Sequence, residues 1–255
     1  VHPLLFAIGS ERYTPYLEQK RPQEILTQSN HILGFGQLSL AKFLFIAEDA
    51  PGLDIHEPVA FLSHILERLD LGRDLHFHTK TTMDTLDYSG EGINEGSKVV
   101  FAAAGEAIRS LSASCPKHEI LEKLNAQVVQ AGVLSIQLQA YQAADSGMSD
   151  CITELESIED LLQGFPLIVV SDDAAFVAET TNNFLWISFT RCNPSHDIYG
   201  LHQKVENKHW TCSTSVVIDA RVKPHHAPAL IPDPKAEEFT DALAKPGGSL
   251  HGIIK

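Results

Sequence analysis

The stretch LIVVSDD at residues 167–173 indicates the fold most directly, because an uninterrupted aliphatic run ends abruptly in two acids. Such a run is typical of a strand that is buried on both faces of a parallel sheet. The stretch FLFIAEDAPG at residues 43–52 repeats the pattern. Strand and helix patterns alternate around both stretches, as in a sheet covered by helices. We therefore predict an α/β fold with mainly parallel sheets.

The remaining elements follow from apolar spacing and from glycine and proline positions. Further strands are predicted at 4–8, 75–79, 98–102, 133–141 and 215–219. Helices are predicted at 22–33, 58–69, 121–131, 151–162, 176–190 and 235–244. Beyond residue 219 the chain is rich in proline, which removes a backbone donor and fixes φ. We expect an extended arm there, able to lie across a neighbouring subunit.

The two halves of the chain resemble each other. A shift of 123 positions aligns identical residues inside matching predicted elements: Asp49 with Asp172, Phe61 with Phe184, Leu62 with Leu185, Arg68 with Arg191, and Asp74 with Asp197. A six-residue slip later aligns the pair Val99-Val100 with Val216-Val217. We predict two tandem related α/β repeats, at residues 1–112 and 113–222, followed by the arm at 223–255. Two unrelated units with convergent patterning remain the alternative.

Composition narrows the class of protein. The chain has 255 residues, 44% of them hydrophobic, and a formal net charge of -14. A nucleic-acid partner is not expected, because phosphate backbones are held by clustered Lys and Arg. No apolar run approaches the roughly 18 residues that indicate a membrane span. Four scattered cysteines and the lack of a basic, signal-like N-terminus favour a cytoplasmic protein with reduced thiols.

Several histidines and acids are candidate metal ligands. His76 and His78 are two apart on a predicted strand and so point the same way, and His225-His226 lie in a predicted loop. None stands at metal-ligand spacing from Asp, Glu or Cys, so surface or core histidines are the simpler interpretation. The acids Glu48-Asp49 and Asp172-Asp173 end two strands, where α/β sheets bind ligands. Their repetition in both halves favours a structural role.

Other chemistry is weakly indicated. Arg68 and Arg191 each end a predicted helix six residues before an Asp, which predicts a structural Arg–Asp tie. The glycine-rich segment 90–96 contains two acids, which would repel a phosphate, and is interpreted as a flexible loop. No GxSxG, P-loop or GxGxxG pattern occurs. The residues alone predict a duplicated α/β protein without a complete active site.

The motifs in the second half resemble the C-terminal region of the UbiD family. In that family a strand ending in acids leads to a Trp-bearing helix, then to a Thr-Arg-x-x-Pro-x-x-Asp segment, and then to a strand ending in Asp. The matching segments here are LIVVSDD at 167–173, FLW at 184–186, TRCNPSHD at 190–197 and VVIDA at 216–220. The first half resembles the same region through KFLFI at 42–46, ER at 67–68, RD at 73–74 and GSKVV at 96–100.

The resemblance implies a parent carboxy-lyase that acts on aromatic or unsaturated acids with prenylated flavin mononucleotide and a divalent metal, manganese. The family's flavin-binding domain lies upstream, and its Glu-Gly-Pro-x-Gly segment has no counterpart in this chain. The resemblance also implies one cofactor contact, since a lysine before the first strand lies near the flavin phosphate in family members. Lys42 matches it, whereas Phe165 is taken as its counterpart in the second half. The alternative for Lys42 is an exposed lysine that complements a helix C-terminus.

Three functions remain open from the sequence. The first is a structural and oligomerisation module of a UbiD-like carboxy-lyase, not catalytic by itself, that contacts the upstream flavin domain and sister subunits. Trp186 and Trp210 support it, since aromatic residues are favoured at interfaces. The second is a free-standing metal-dependent enzyme that uses His76, His78, His225 or the strand-end acids. The third is a small-molecule binding module at the strand ends.

Overall fold

A computed structural model of the chain describes residues 3–13, 16, 19–142, 146–227, 231 and 233–253. The elements of the first half are β1 (Leu4–Gly9), α1 (Glu24–Leu33), a 3₁₀ helix (Gly36–Leu40), β2 (Phe43–Glu48), α2 (Pro58–Arg68), β3 (Leu75–Thr82) and β4 (Glu95–Ala103). The predicted strands and helices of this half are confirmed. Residues 228–230, 232, 254 and 255 of the predicted arm lie outside the described residues.

The rest of the chain adds more short elements than the sequence predicts. In chain order they are α3 (Glu119–Lys123), β5 (Gln127–Gln130), β6 (Val133–Gln137), α4 (Gly147–Glu156), α5 (Glu159–Leu162), β7 (Leu167–Ser171), α6 (Ala174–Glu179), α7 (Thr181–Thr190), α8 (Pro194–Asp197), β8 (Ile198–Gly200), β9 (Lys204–Glu206), β10 (His209–Thr211), β11 (Val216–Asp219) and α9 (Pro234–Ala244). The strand predicted over 133–141 is shorter, and β8 to β10 were not predicted.

The prediction of one helix over 121–131 is wrong. Helix α3 ends early because Asn125 adopts a positive φ of 49°, the left-handed conformation that terminates helices. The β-branched pair Val128-Val129 then continues as β5, which pairs antiparallel with β6. The predicted helix 176–190 is likewise divided, since extended Thr180 accepts a hydrogen bond from Asn183 N and starts a new helix.

The α/β class is confirmed, but both large sheets are mixed rather than mainly parallel. The first has the order β1-β2-β4-β3, with β3 antiparallel to β4. The second has the order β5-β6-β7-β11-β8, and both of its edge strands, β5 and β8, are antiparallel to their neighbours. A separate hairpin pairs β9 with β10. The inner strands pair in parallel, β2 with β4 and β7 with β11, and their apolar runs are buried on both faces. The edge strand β1 is also parallel to its neighbour but is only partly buried.

One apolar cluster joins the two sheets. It contains residues from one face of each sheet together with the buried faces of α2 and α7. Phe189 of α7 contacts Phe43 of β2 at a ring-centroid distance of 4.8 Å and also contacts Phe45. The outer faces are covered separately, by α1 on the first sheet and by α3, α4 and α5 on the second. The two halves therefore share a core, which places the motif segment after α7 against the first half.

Candidate functional site

Lys42, the predicted phosphate contact, lies at the joint between the two halves. Its side chain is fully buried, so the alternative of an exposed lysine is wrong. The ammonium lies 2.8 Å from Asp87 Oδ2 and donates to Ser89 Oγ at 2.6 Å. It also donates to two carbonyls at the C-terminal end of α7, Thr190 O at 3.2 Å and, just past the helix, Cys192 O at 2.8 Å. Burial lowers the pKa of Lys42, and the charge of Asp87 works against that shift.

The segment 190–197, which carries the family-like motif, is bound to the start of β4. Ser97 Oγ donates to Asn193 Oδ1 at 2.5 Å and accepts from the backbone N of Ser195 at 2.8 Å. Asp197 turns back and accepts from Asn193 N at 2.7 Å. Both Ser97 and Asn193 are buried. The motif therefore forms a hydrogen-bonded contact between the halves.

Asp197, which ends the motif, and three buried charges that follow it, Asp219, Arg221 and Lys223, form with Lys42 and Asp87 what we call the ionic joint. Arg221 donates to both carboxylate oxygens of Asp219, at 2.9 and 2.8 Å. Lys223 lies 3.2 Å from Asp197 Oδ1 and donates to the backbone O of Asp219. Burial favours a higher pKa for Asp219, but the hydrogen bonds and charge of Arg221 and the charge of Lys223 hold it below its usual value.

The sequence missed Arg221 and Lys223 as partners, although a signal was present. Asp219, Arg221 and Lys223 alternate along an extended segment, and alternate residues of such a segment point the same way. Their side chains can therefore meet on one side. The partners of Lys42 could not be found from such alternation, because the carbonyl of Cys192, to which it donates, is 150 positions away in the sequence.

The predicted Arg–Asp ties are wrong. Arg68 donates instead to the carbonyl of His64, one turn back in its own helix, and to the carbonyl of Gly105, which follows β4. Arg191 lies 3.5 Å from Asp172 rather than pairing with Asp197. A guanidinium at a helix C-terminus has free carbonyls of the last turn within reach, and the packing of β4 beside α2 brings a second carbonyl to Arg68.

Asp74 is paired with its neighbour Arg73 at 2.7 Å and accepts from Asp70 N at 3.0 Å. Burial nevertheless raises the pKa of Asp74 from 3.8 to about 6. A raised folded-state pKa stabilises the protein at low pH, and this stabilisation is lost as the pH rises through about 6.

We expect the stability of the native chain, relative to Asp74→Asn, to fall by up to roughly 3 kcal/mol between pH 4 and pH 7. The asparagine cannot ionise, so the pairwise comparison removes the other titrations. Urea denaturation of both proteins across this range measures the difference. Exposed Asp54→Asn is the control and should show no such trend; a flat difference for Asp74→Asn would contradict the assignment.

The strand-end acids make structural contacts, as their repetition suggested. Asp173 caps α6 by accepting from Phe176 N at 2.9 Å. Asp172 accepts from Val222 N at 2.7 Å, and Glu48 forms an ion pair with Lys20. These carboxylates are therefore engaged by neighbouring backbone and side chains.

The candidate metal ligands are not brought together as a set. Among the described residues no group of three or more His, Cys, Asp or Glu could hold a metal ion. His225 and His226 contact each other edge-on, with ring centroids 4.8 Å apart. His76 instead faces His209, a residue that was not proposed as a ligand, at 5.0 Å. The set required for the metal-enzyme hypothesis is thus absent from the described part of the chain.

The cysteines do not provide a nucleophile. Burial raises the pKa of Cys151 and of Cys212 to about 12. It also raises the pKa of Cys192 and of Cys115. A thiol with a raised pKa is not a thiolate at neutral pH, and only the thiolate is strongly nucleophilic. Cys151, Cys192 and Cys212 therefore act as small buried apolar groups, whereas Cys115 is only partly buried.

The described residues do not fit a flavin and its metal. The ammonium of Lys42, which was predicted to contact the phosphate, is enclosed by four protein partners. In the second sheet the residue equivalent to Lys42 is Pro166 rather than Phe165. The backbone hydrogen bonds between strands show this, since Val216 N donates to Pro166 O just as Val99 N donates to Lys42 O. Neither Lys42 nor Pro166 offers a free cation to a phosphate. The described residues also contain no group of three or more His, Cys, Asp or Glu that could hold the metal.

Two comparisons with known sequences place the chain. Residues 1–103 match the sequence model of the 3-octaprenyl-4-hydroxybenzoate carboxy-lyase C-terminal domain, UbiD_C. A Chlamydia pneumoniae protein, named as a subunit of 4-hydroxybenzoate decarboxylase, is 34% identical over 238 residues, covering 93% of this chain and 38% of that protein. An uncharacterized protein of Chlamydia trachomatis serovar D is 31% identical over 94% of this chain and 37% of its own length. The chain thus spans less than two fifths of these relatives.

Among solved structures, the vanillic acid decarboxylase of Sedimentibacter hydroxybenzoicus in open form shares 14% identity with this chain. The alignment covers 65% of this chain and 44% of the decarboxylase chain, with a TM-score of 0.32. Within this chain, none of the described helices combines the length and apolar character that a bilayer span requires.

Proposed function

We propose that the chain is the C-terminal structural and oligomerisation part of a UbiD-like carboxy-lyase, on the ground that residues 1–103 match the sequence model of the UbiD C-terminal domain. The full-length protein decarboxylates an aromatic or unsaturated acid, and this part is not catalytic by itself. The observation that carries the proposal is the alignment of 93% of this chain with only 38% of a relative named as part of a decarboxylase.

In this proposal the chemistry resides in an upstream flavin-binding domain that holds prenylated flavin mononucleotide and manganese. Support comes from the site itself, because the conspicuous charged residues of the chain are already paired with one another. A contact between Lys42 and a flavin phosphate stays a prediction. It requires the ammonium to exchange one of its four present partners for the phosphate.

The proposed partners are the upstream domain and further copies of the same chain, with no nucleic acid. Helix α9 supports the second partner, because it contains no buried residue and leaves Phe239 66% exposed. Trp186 is 60% exposed on α7 and presents a second aromatic surface. Trp210, in contrast, packs against Phe77 inside the chain. Free cysteines are compatible with the cytoplasmic location that we propose.

We expect the chain to be a homo-oligomer in light scattering coupled to size exclusion, and deletion of residues 228–255 to reduce its mass toward that of a monomer. The deletion removes α9 and leaves the apolar clusters and the ionic joint intact, so the thermal midpoint should change little. Phe239→Ser should weaken association in the same way, whereas Ile93→Ser, at a residue that is even more exposed, should not. If the undeleted 255-residue chain stays monomeric at high concentration, the oligomerisation role is refuted.

The tandem duplication, with repeats at 1–112 and 113–222 and an arm at 223–255, also remains a proposal. Its support is the common strand order, since β6-β7-β11-β8 repeats β1-β2-β4-β3 with the same orientations. The registers agree as well. Phe43 lies between Leu4 and Val99, and Leu167 lies between Val133 and Val216.

A further inference from the structure

A pair of histidines lies where the β9–β10 hairpin of the second half meets β3 of the first. His76 is on β3 and His209 begins β10, and their ring centroids are 5.0 Å apart with planes inclined at 44°. Both rings line a cavity of about 430 Å³ that is also lined by Lys208 and Trp210. The pair is separated along the chain by 133 positions and exists only because the halves pack together.

The ring nitrogens of this pair are unusual. Nε2 of His76 and Nε2 of His209 are both shielded from solvent, and neither has a hydrogen-bond partner among the described residues. Buried polar atoms are almost always paired, so two unpaired nitrogens on adjacent rings indicate a missing partner. A single ion or molecule that accepts both lone pairs would satisfy them together.

His76 and His209 can each offer Nε2 as a ligand. A neutral imidazole carries one lone pair for a metal ion, on the ring nitrogen that bears no proton. In both rings Nε2 is the shielded nitrogen without a partner among the described residues, so it is the atom that an ion would satisfy.

We infer that His76 and His209 form a two-histidine site for a divalent transition-metal ion such as Zn²⁺ or Ni²⁺, with water completing the coordination. The ring separation agrees with this. With metal–nitrogen distances of ~2.1 Å and a near-tetrahedral angle, two imidazole centroids lie about 5 Å apart. Two protein ligands make an open site, distinct from a closed set of three or four.

The surroundings predict which ions bind. Arg73 and Lys208 add positive charge near the pair, which opposes a weakly held cation. Imidazole ligands suit zinc, nickel and copper, whereas magnesium and manganese prefer oxygen ligands. The site should therefore take Zn²⁺ or Ni²⁺ and leave Mn²⁺ unbound. This inference does not rest on the proposed carboxy-lyase role, and its failure would leave that role untouched.

The test is calorimetric titration of tag-free, EDTA-treated protein with ZnCl₂, with MnCl₂ as the comparison ion. The native chain should bind Zn²⁺ at this site and show no binding of Mn²⁺. His76→Ala and His209→Ala each remove a direct ligand, so each should weaken Zn²⁺ binding by at least the roughly 10–100-fold that is typical of losing an outer-shell partner. His78→Ala and His226→Ala are the controls; His226 also has an unpaired Nε2, so its replacement excludes a site at that ring.

A second measurement protects the test against variants that fold poorly. Nitrogen NMR of the native chain should show the Nε2 resonances of His76 and His209 shifting together with added Zn²⁺, while those of His78 stay in place. Absence of Zn²⁺ binding, or binding that both alanine variants retain, would overturn the inference and assign water as the partner of the two nitrogens.

Discussion

Substitution of Lys42 by methionine is expected to lower the free energy of unfolding by about 3–5 kcal/mol, because removing one member of a buried ion pair leaves the other uncompensated. Methionine keeps most of the aliphatic part of the lysine side chain, so the change in stability reports the loss of the ammonium group. Asp87, whose side chain is only 10% exposed, would lose its cationic partner, and Ser89 and two carbonyls would lose a donor. Urea denaturation at pH 7 measures the effect.

Two further variants show whether the ion pair is the cause. In Lys42→Met/Asp87→Asn no charge is left unpaired, and we expect recovery of about 0.5–3 kcal/mol relative to additivity. Lys20→Met removes an ion pair whose lysine is 48% exposed, and should change stability by less than about 1 kcal/mol. A Lys42→Met loss as small as that of Lys20→Met would show that the halves are not held by this lysine.

Arg221→Met is expected to be as damaging, with a loss of about 3–5 kcal/mol, because it leaves Asp219 charged and buried. Arg221 makes two hydrogen bonds to that carboxylate and a third, at 3.2 Å, to Gln139 O. The matched control is Lys204→Met. Lys204 is 62% exposed and forms its ion pair with Glu206 on the surface. Its effect should stay within about 0.5 kcal/mol.

The pH dependence of Arg221→Met separates lost charge pairing from lost packing. In the native protein the lowered pKa of Asp219 contributes stability that is present above the unfolded-state value and lost as the pH falls. Without Arg221, burial raises the pKa, so Asp219 can take up a proton as the pH is lowered. The destabilisation should therefore be smaller at pH 5 than at pH 7. An equal loss at both values would indicate packing alone.

The sequence was informative where burial is continuous and local. The runs at 43–47 and 167–171 are fully buried, and β2 and β7 form there as predicted. Helix α2 follows from Pro58 and a regular apolar stripe. The failures occur where residues 121–131 and 198–211 are divided among short elements, because single turn residues such as Asn125 outweigh average periodicity.

The site was less predictable than the fold. The motif residues were recognised, but their partners lie far along the chain, as Ser97 does from Asn193. Asp197 was expected to pair with Arg191 and instead lies against Lys223, which the proline-rich composition had assigned to an arm. Which buried charges meet is decided by how the two sheets pack, and a periodic pattern carries no information about that.

The proposed function of this chain is to supply structure to a carboxy-lyase whose cofactor is held elsewhere. The most direct test is to titrate the purified chain with prenylated flavin mononucleotide and Mn²⁺, desalt it, and measure the flavin absorbance of the protein fraction. A complete UbiD-type enzyme, carried through the same steps, shows that the cofactor survives them. We predict that no flavin remains with this chain. Stoichiometric retention would contradict the claim, and Lys42→Ala would then show whether that lysine holds the phosphate.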